Sequence, residues 1–250
     1  MTKIVVFDSG MGSLSVIKPI QKRIKAEIIY FADQKNYPYG TKTVPQLDKI
    51  IQSTIVTLQE KFSPDVIVVG SNTPSLLLHI EKKDKIFGVY PPLKEAVSKT
   101  RSGKIGILAT KAVVKSKTLD IYIKKNVPSK IDVTKINATS LVDLVESGRF
   151  ISQKQLSKHI IQKIIKPHID NNIDVFTLSS THLPFLVPML TELFTGITFL
   201  DPADVVAKHL AKVSKHKSKR SRLKIYASGS ISVFQKQLQK IGIKNKVNPL

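Results

Sequence analysis

Two stretches of the chain share one pattern: Asp65-Val66-Ile67-Val68-Val69-Gly70-Ser71-Asn72-Thr73 and Asp174-Val175-Phe176-Thr177-Leu178-Ser179-Ser180-Thr181-His182. Each is a short apolar run that ends abruptly in small hydroxyl and amide residues. Such a run reads as a buried parallel strand emptying into a polar loop, and open α/β sheets bind ligands outside the carboxyl ends of their strands. The pair predicts two similar halves, each contributing a serine to one site. A second echo agrees: Lys3-Ile4-Val5-Val6-Phe7-Asp8-Ser9-Gly10 and Lys104-Ile105-Gly106-Ile107-Leu108-Ala109-Thr110-Lys111 each pass from a strand into a polar turn.

Further strand-like runs begin at Ile28, Ile86, Ile131, Ile197 and Leu223, with helical patterns between them. From Pro45 to Lys61, Leu47, Ile50, Ile51, Ile55 and Leu58 fall on one helical face, and Leu156, Ile160, Ile161, Ile164 and Ile165 repeat this from Ser152 to Ile169. Strands alternating with helices mean βαβ units. The expected fold is therefore α/β, with two pseudo-symmetric domains, mainly parallel sheets and an active site at the domain interface. The polar break Lys99-Thr100-Arg101-Ser102-Gly103 and the basic segment around Lys212 to Arg222 are the candidate linkers. The first domain is expected to span 1–98 plus 213–250 and the second 99–212.

Composition removes several chemistries. Cysteine is absent, which excludes disulfides, thiolate nucleophiles and thiolate metal sites. His79, His159, His168, His209 and His216 sit beside lysines or on helix faces and read as solvated residues; only His182 lies in a motif. No metal and no cofactor is expected. No apolar stretch is long enough for a bilayer, and the start of the chain reads as a strand rather than a signal peptide, so no membrane partner and a cytoplasmic location are expected. Net charge is +22, and twelve lysines and arginines with no acidic residue follow Asp204. A run such as Lys215-His216-Lys217-Ser218-Lys219-Arg220-Ser221-Arg222 attracts phosphates, but no aromatics interleave for base stacking, so a solvated loop is favoured over a nucleic-acid site.

The loops after the strands, Asp8 to Gly12, Tyr37 to Gly40, Ser71 to Thr73, Thr110 and Ser180 to His182, are rich in hydroxyls, amides and glycines, and several precede helices. Helix amino termini attract anions. A small carboxylate ligand is the natural inference, although any one such loop alone is also explained by helix capping.

Five motifs then carry a resemblance along essentially the whole chain. Asp8-Ser9-Gly10-Met11-Gly12-Ser13-Leu14, Tyr37-Pro38-Tyr39-Gly40, Ser71-Asn72-Thr73-Pro74-Ser75, Leu141-Val142-Asp143-Leu144-Val145-Glu146-Ser147-Gly148 and Ser180-Thr181-His182-Leu183-Pro184 resemble, in order and spacing, the glutamate racemases of the aspartate/glutamate racemase superfamily. The resemblance implies cofactor-independent interconversion of L- and D-glutamate, or a related acidic amino acid, by two-base proton transfer between two cysteines. Those cysteines correspond to Ser71 and Ser180. Asp8 and His182 match residues assisting proton transfer, and Glu146 a further acidic helper. Asp8, Ser9, Tyr39, Gly40, Asn72, Thr73, Thr181 and His182 match substrate-binding positions. Relatives often form homodimers.

The departure falls on the chemistry itself. A thiol with a pKa of about 8.5 is partly ionised near neutrality. An alcohol ionising near the value for water, about 15.7, costs on the order of 12 kcal/mol to convert to alkoxide at pH 7. Racemisation is therefore expected to be absent or weak, with Asp8 or His182 as the residual base. Two origins fit the paired serines, a deliberate exchange of both thiols to trap substrate and natural divergence; Ser13, Pro74, Ser179 and Leu183 also replace usual family residues, which favours divergence of the whole site. Two other readings stand beside this one: a non-catalytic small-carboxylate-binding or regulatory protein with a basic carboxyl-terminal region, and another proton-transfer enzyme of the superfamily.

Overall fold

A computed structural model describes residues 1–80, 85–213 and 220–250. The basic run Lys215 to Lys219, with His216, lies outside the described residues, as does most of the segment from Lys212 to Arg222. Among the described residues no helix is long and apolar enough to cross a membrane.

The strands are β1 (Lys3–Asp8), β2 (Glu27–Ala32), β3 (Val66–Val69), β4 (Ile86–Gly88), β5 (Lys104–Ala109), β6 (Asp132–Asn137), β7 (Val175–Ser179), β8 (Thr198–Leu200), β9 (Arg222–Ala227) and β10 (Val247–Pro249). They form a six-stranded sheet in the order β10-β9-β2-β1-β3-β4 and a four-stranded sheet in the order β6-β5-β7-β8. Every strand pair is parallel. The order β2-β1-β3-β4 in the first sheet is the order β6-β5-β7-β8 of the second, so β1 answers to β5 and β3 to β7. In both, the chain steps to one side of its first strand and then returns to the other. That reversal leaves a crevice at the carboxyl ends of β1 and β3, and another at those of β5 and β7.

Burial follows this arrangement. β3 is buried along its whole length and β7 likewise, as parallel strands covered on both faces require. The helix Val44–Phe62 covers part of the first sheet through Leu47, Ile51, Ile55 and Leu58, which pack with Val5, Phe7, Ile29, Ile67 and Val69. Its start is fixed by a reciprocal cap: the Gln46 amide donates to Thr43 Oγ1 at 3.4 Å and the Thr43 amide donates to Gln46 Oε1 at 3.0 Å.

The chain divides into a unit of Met1–Val89 with Ala203–Leu250 and a unit of Tyr90–Pro202. These limits differ from the sequence-based 98/99 and 212/213. The helix Leu93–Lys99 packs on β7 and β8, and the helix Ala203–Val213 packs on Leu14–Arg23, so each helix belongs to a different unit from the one its polar flank suggests. His209 differs from its solvated reading as well: its ring meets Phe87 nearly edge-on, with centroids 4.9 Å apart.

Asp174 anchors the foot of the second sheet. Its carboxylate accepts from Thr100 Oγ1 and the Arg101 amide, both at 2.7 Å, and from the amide and hydroxyl of Ser102 at 3.0 and 2.9 Å. Burial alone raises its pKa, but these hydrogen bonds prevail and hold it below the ordinary carboxylate value. A depressed folded-state pKa contributes stability above the unfolded value, about 3.9, and loses it as pH falls through the folded value. Asp174→Asn is therefore expected to lower unfolding free energy by about 1–2 kcal/mol at pH 7. The gap from the parent should narrow below about pH 4 in urea titrations at both pH values; equal stability of the two proteins at pH 7 would show that the turn is held by other contacts.

Candidate functional site

In the first unit, the carboxyl ends of β1 and β3 bring together Asp8, Ser9, Ser71, Asn72 and Thr73. Asp8 ends β1, and its Oδ1 accepts the Ser9 amide at 2.7 Å. β3 ends at Val69, and the Gly70 amide donates to the Phe7 carbonyl at 2.7 Å, which carries the ladder one residue further and delivers Ser71 directly outside it. Ser71 is the N-cap residue of the helix Asn72–Leu77, yet its hydroxyl makes no capping hydrogen bond. Its backbone is held instead by Ser75, whose hydroxyl donates to the Ser71 carbonyl at 2.6 Å and accepts the Val89 amide at 2.9 Å. Asn72 donates through Nδ2 to the Val89 carbonyl at 3.1 Å, while its buried Oδ1 has no hydrogen-bond partner among the described residues.

Tyr39 is buried after β2, and its hydroxyl donates to Asp33 Oδ2 at 3.0 Å. Burial, followed by the charges of Asp33 and Asp8, pushes the Tyr39 phenol well above its ordinary pKa, so it stays protonated. Asp33 also accepts from Asn36 Nδ2 at 3.0 and 2.8 Å and from Ser228 Oγ at 3.2 Å. This carboxylate, 3% exposed, joins the loops after β2 and β9. Gly40 follows Tyr39 in the same short turn, Tyr39–Thr41.

In the second unit, β7 ends at Ser179, and Ser180, Thr181 and His182 follow it, all buried. The Leu183 amide donates to the Ser180 carbonyl at 3.0 Å, which closes the turn. His182 Nε2 lies 2.8 Å from Glu146 Oε2, with side-chain exposures of 7% and 14%. Glu146 is the last residue of the helix Thr139–Glu146. A carboxylate at Nε2 favours the tautomer protonated there, leaving Nδ1 as the acceptor. Thr110, at the end of β5, starts the short helix Lys111–Val114 without a side-chain cap.

The sequence-derived residues thus fall at matching places in the two units: Asp8, Ser9, Tyr39, Gly40, Ser71, Asn72 and Thr73 in one, and Glu146, Ser180, Thr181 and His182 in the other. Each half supplies hydroxyls, and each supplies a group able to carry a proton, Asp8 in one and the His182 and Glu146 pair in the other. Among the described residues no three side chains are grouped to hold a metal ion. Sequence reasoning passed over Asp33, Ser75 and Gly70. Asp33 carried a readable signal, because Tyr30-Phe31-Ala32-Asp33 repeats the strand-then-aspartate pattern of Val5-Val6-Phe7-Asp8.

Comparison with known proteins places these geometries in context. No family model matches the chain. A glutamate racemase of Deinococcus radiodurans is 31% identical over 216 residues, covering 83% of this chain and 73% of that protein. The crystal structure of glutamate racemase isoform RacE1 from Bacillus anthracis superposes with a TM-score of 0.85 at 23% identity, covering 100% of this chain and 97% of that one. The Escherichia coli glutamate racemase, in complex with L-glutamate and an activator, superposes with a TM-score of 0.84 at 23% identity over 100% and 98% of the two chains.

The placement of Ser71 rests on a close approach at Gly70. A Cβ there would lie 2.4 Å from Ser13 Cβ, 2.6 Å from Ser13 Oγ and 3.0 Å from the Phe7 carbonyl oxygen. Gly70→Ala is expected to destabilise the protein by about 1–3 kcal/mol through overpacking. Adding Ser13→Gly removes the two nearest atoms and should restore at least about half of that loss in chemical denaturation; strictly additive effects would mean that Ser13 is not the obstacle.

Proposed function

Because the chain belongs to the glutamate racemase family, we propose that it takes glutamate or a related acidic amino acid through the residues at the strand ends of each unit, with the proton-transfer pair disarmed. Ser71 and Ser180 stand where the family's two thiols stand. The observation that carries this reading is their equivalence: each is the first or second residue beyond the third strand of its sheet, beside the same topological reversal. The L-glutamate held by the Escherichia coli relative supports the ligand class.

The proposed division of labour follows from the side chains. Asn72, Thr73, Ser9 and Thr181 offer hydrogen bonds to carboxylate and ammonium groups. Tyr39, whose proton is committed to Asp33, presents its phenol oxygen as an acceptor. Proton transfer at the α-carbon falls to Ser71 and Ser180, assisted by Asp8 and by His182 with Glu146. Alkoxide formation from either serine costs on the order of 12 kcal/mol at pH 7, against about 2 kcal/mol for a thiol of ordinary pKa. The binding shell outlasts the chemistry.

Incubation with L- or D-glutamate, and separately with aspartate, in deuterated water tests this by α-deuterium incorporation in proton NMR. The double variant Ser71→Cys, Ser180→Cys is expected to exchange at least about a thousandfold faster than the parent, the scale on which positioned acid–base groups act. A parent that matches the double variant would overturn the disarmed pair. Failure of both proteins to bind any acidic amino acid in calorimetry would overturn the ligand class.

A further inference from the structure

The last acidic residue in the chain is Asp204, and the strands β9 and β10 lie wholly beyond it. Asn245 ties a loop, a helix and a strand of this acid-free region together. Its backbone carbonyl accepts from Gln235 Nε2 at 3.0 Å, and its own Nδ2 donates to the Leu223 carbonyl at 2.9 Å. Gln235 Oε1 also accepts the Val247 amide at 2.8 Å. The loop before β10 is thereby fixed between the helix Ile231–Lys240 and the start of β9. Exposed cations flank two of these anchors, Lys244 and Lys246 beside Asn245 and Lys236 beside Gln235, while Arg222 and Lys224 alternate with Leu223 and lie on the side of the strand that carries Tyr226. Lys224 pairs with Glu27 at 2.8 Å. One turn beyond Lys236, Lys240 is exposed as well.

We infer that this face binds the phosphate backbone of nucleic acid without reading its bases. Its cations are carried by the anchored loop before β10 and by the helix Ile231–Lys240. Base stacking requires exposed aromatic rings, and the aromatic residues of this region do not provide them: Tyr226 is partly buried against Phe62, with ring centroids 4.9 Å apart, and Phe234 is buried. Insertion into a lipid surface requires an exposed apolar helix face. The helix Ile231–Lys240 exposes Val233 among Ser232, Lys236, Gln239 and Lys240, which is too little. What remains is charge spaced to meet phosphates.

The test is fluorescence anisotropy of the full chain with two labelled duplexes of about 20 base pairs and unrelated sequence, titrated between about 50 and 200 mM salt. Binding is expected to be equal for both duplexes and to weaken by about 150- to 500-fold across that range for four to five phosphate contacts. Lys236→Glu, Lys244→Glu, Lys246→Glu together should lower affinity at least about tenfold and reduce the salt slope by about 2 to 3. The triple variant Lys117→Glu, Lys154→Glu, Lys163→Glu, with the same net charge but exposed positions in the other unit, should keep the parental slope. Lys236→Gln, Lys244→Gln, Lys246→Gln gives the same ordering if the glutamate variant does not fold. No binding at low salt, equal losses in both triple variants, or displacement of the duplex by phosphatidylglycerol vesicles or polyglutamate at matched charge concentration would each overturn the proposal.

Discussion

The parallel pairing of the first strand of each sheet with its third determines where polar chemistry can reside in this protein. In the first sheet Phe7 is opposite Val69, and in the second Ala109 is opposite Ser179. These strands are covered on both faces, so their interiors are apolar apart from Thr177 of β7, whose hydroxyl pairs with that of Ser179 at 2.9 Å, and the other polar residues collect at the ends. The first point beyond the ladder at which a hydroxyl can face a crevice is Ser71 in one unit and Ser180 in the other. Gly70 shows how tightly this is set, since the backbone passes the Ser13 side chain at a distance that admits no Cβ.

Around those two positions the polar groups differ in what they require. Ser75 and Asp33 hold backbone and side chains in place through hydrogen bonds whose strength depends little on the reaction performed nearby. The His182 and Glu146 contact fixes a ring as well. Proton abstraction from carbon is different, because it depends on the free energy of ionising one atom. On the proposed reading, exchanging sulfur for oxygen at two positions changes that one quantity by about 10 kcal/mol while leaving the shape of the shell nearly untouched. A binding site can therefore persist where a catalytic one does not.

Much of this was legible in the sequence because the signals are local. The runs from Asp65 and Asp174 gave the two strands and their loops, and Leu47, Ile51, Ile55 and Leu58 gave a helix face that is buried as expected. β10 was not legible: it is three residues long and ends at Pro249, and a short edge strand needs no apolar run. Nor was the anchoring of Asp174, whose partners are more than seventy positions away in sequence. The limits of the two units were misplaced for a related reason. Polar residues at 99–103 mark a turn, but whether the preceding helix packs before or after that turn is decided by tertiary contact. Asp33 lay in plain view after an apolar strand, and its role emerges only with Ser228, which the fold brings in from the far end of the chain.

The two sheets also differ in extent. The order of four strands is shared, and the paired half-sites lie entirely within that shared part or its loops. β9 and β10 have no counterpart in the second sheet. They extend the first sheet from β2 outward, with Arg222 opposite Glu27 and Val247 opposite Ile225. Glu27 is therefore the carboxylate that the shared part presents to the start of the extension, and it is held below its ordinary pKa chiefly by its hydrogen bond to Lys224. With that carboxylate paired, the charge of the neighbouring lysines is left without a local acid within the extension to offset it. A surface can acquire strong positive potential in this way without altering a single residue at the carboxyl ends of β1 and β3, because the anchoring of Asn245 faces the amino-terminal half of β9 while the half-site forms at the opposite ends of the strands.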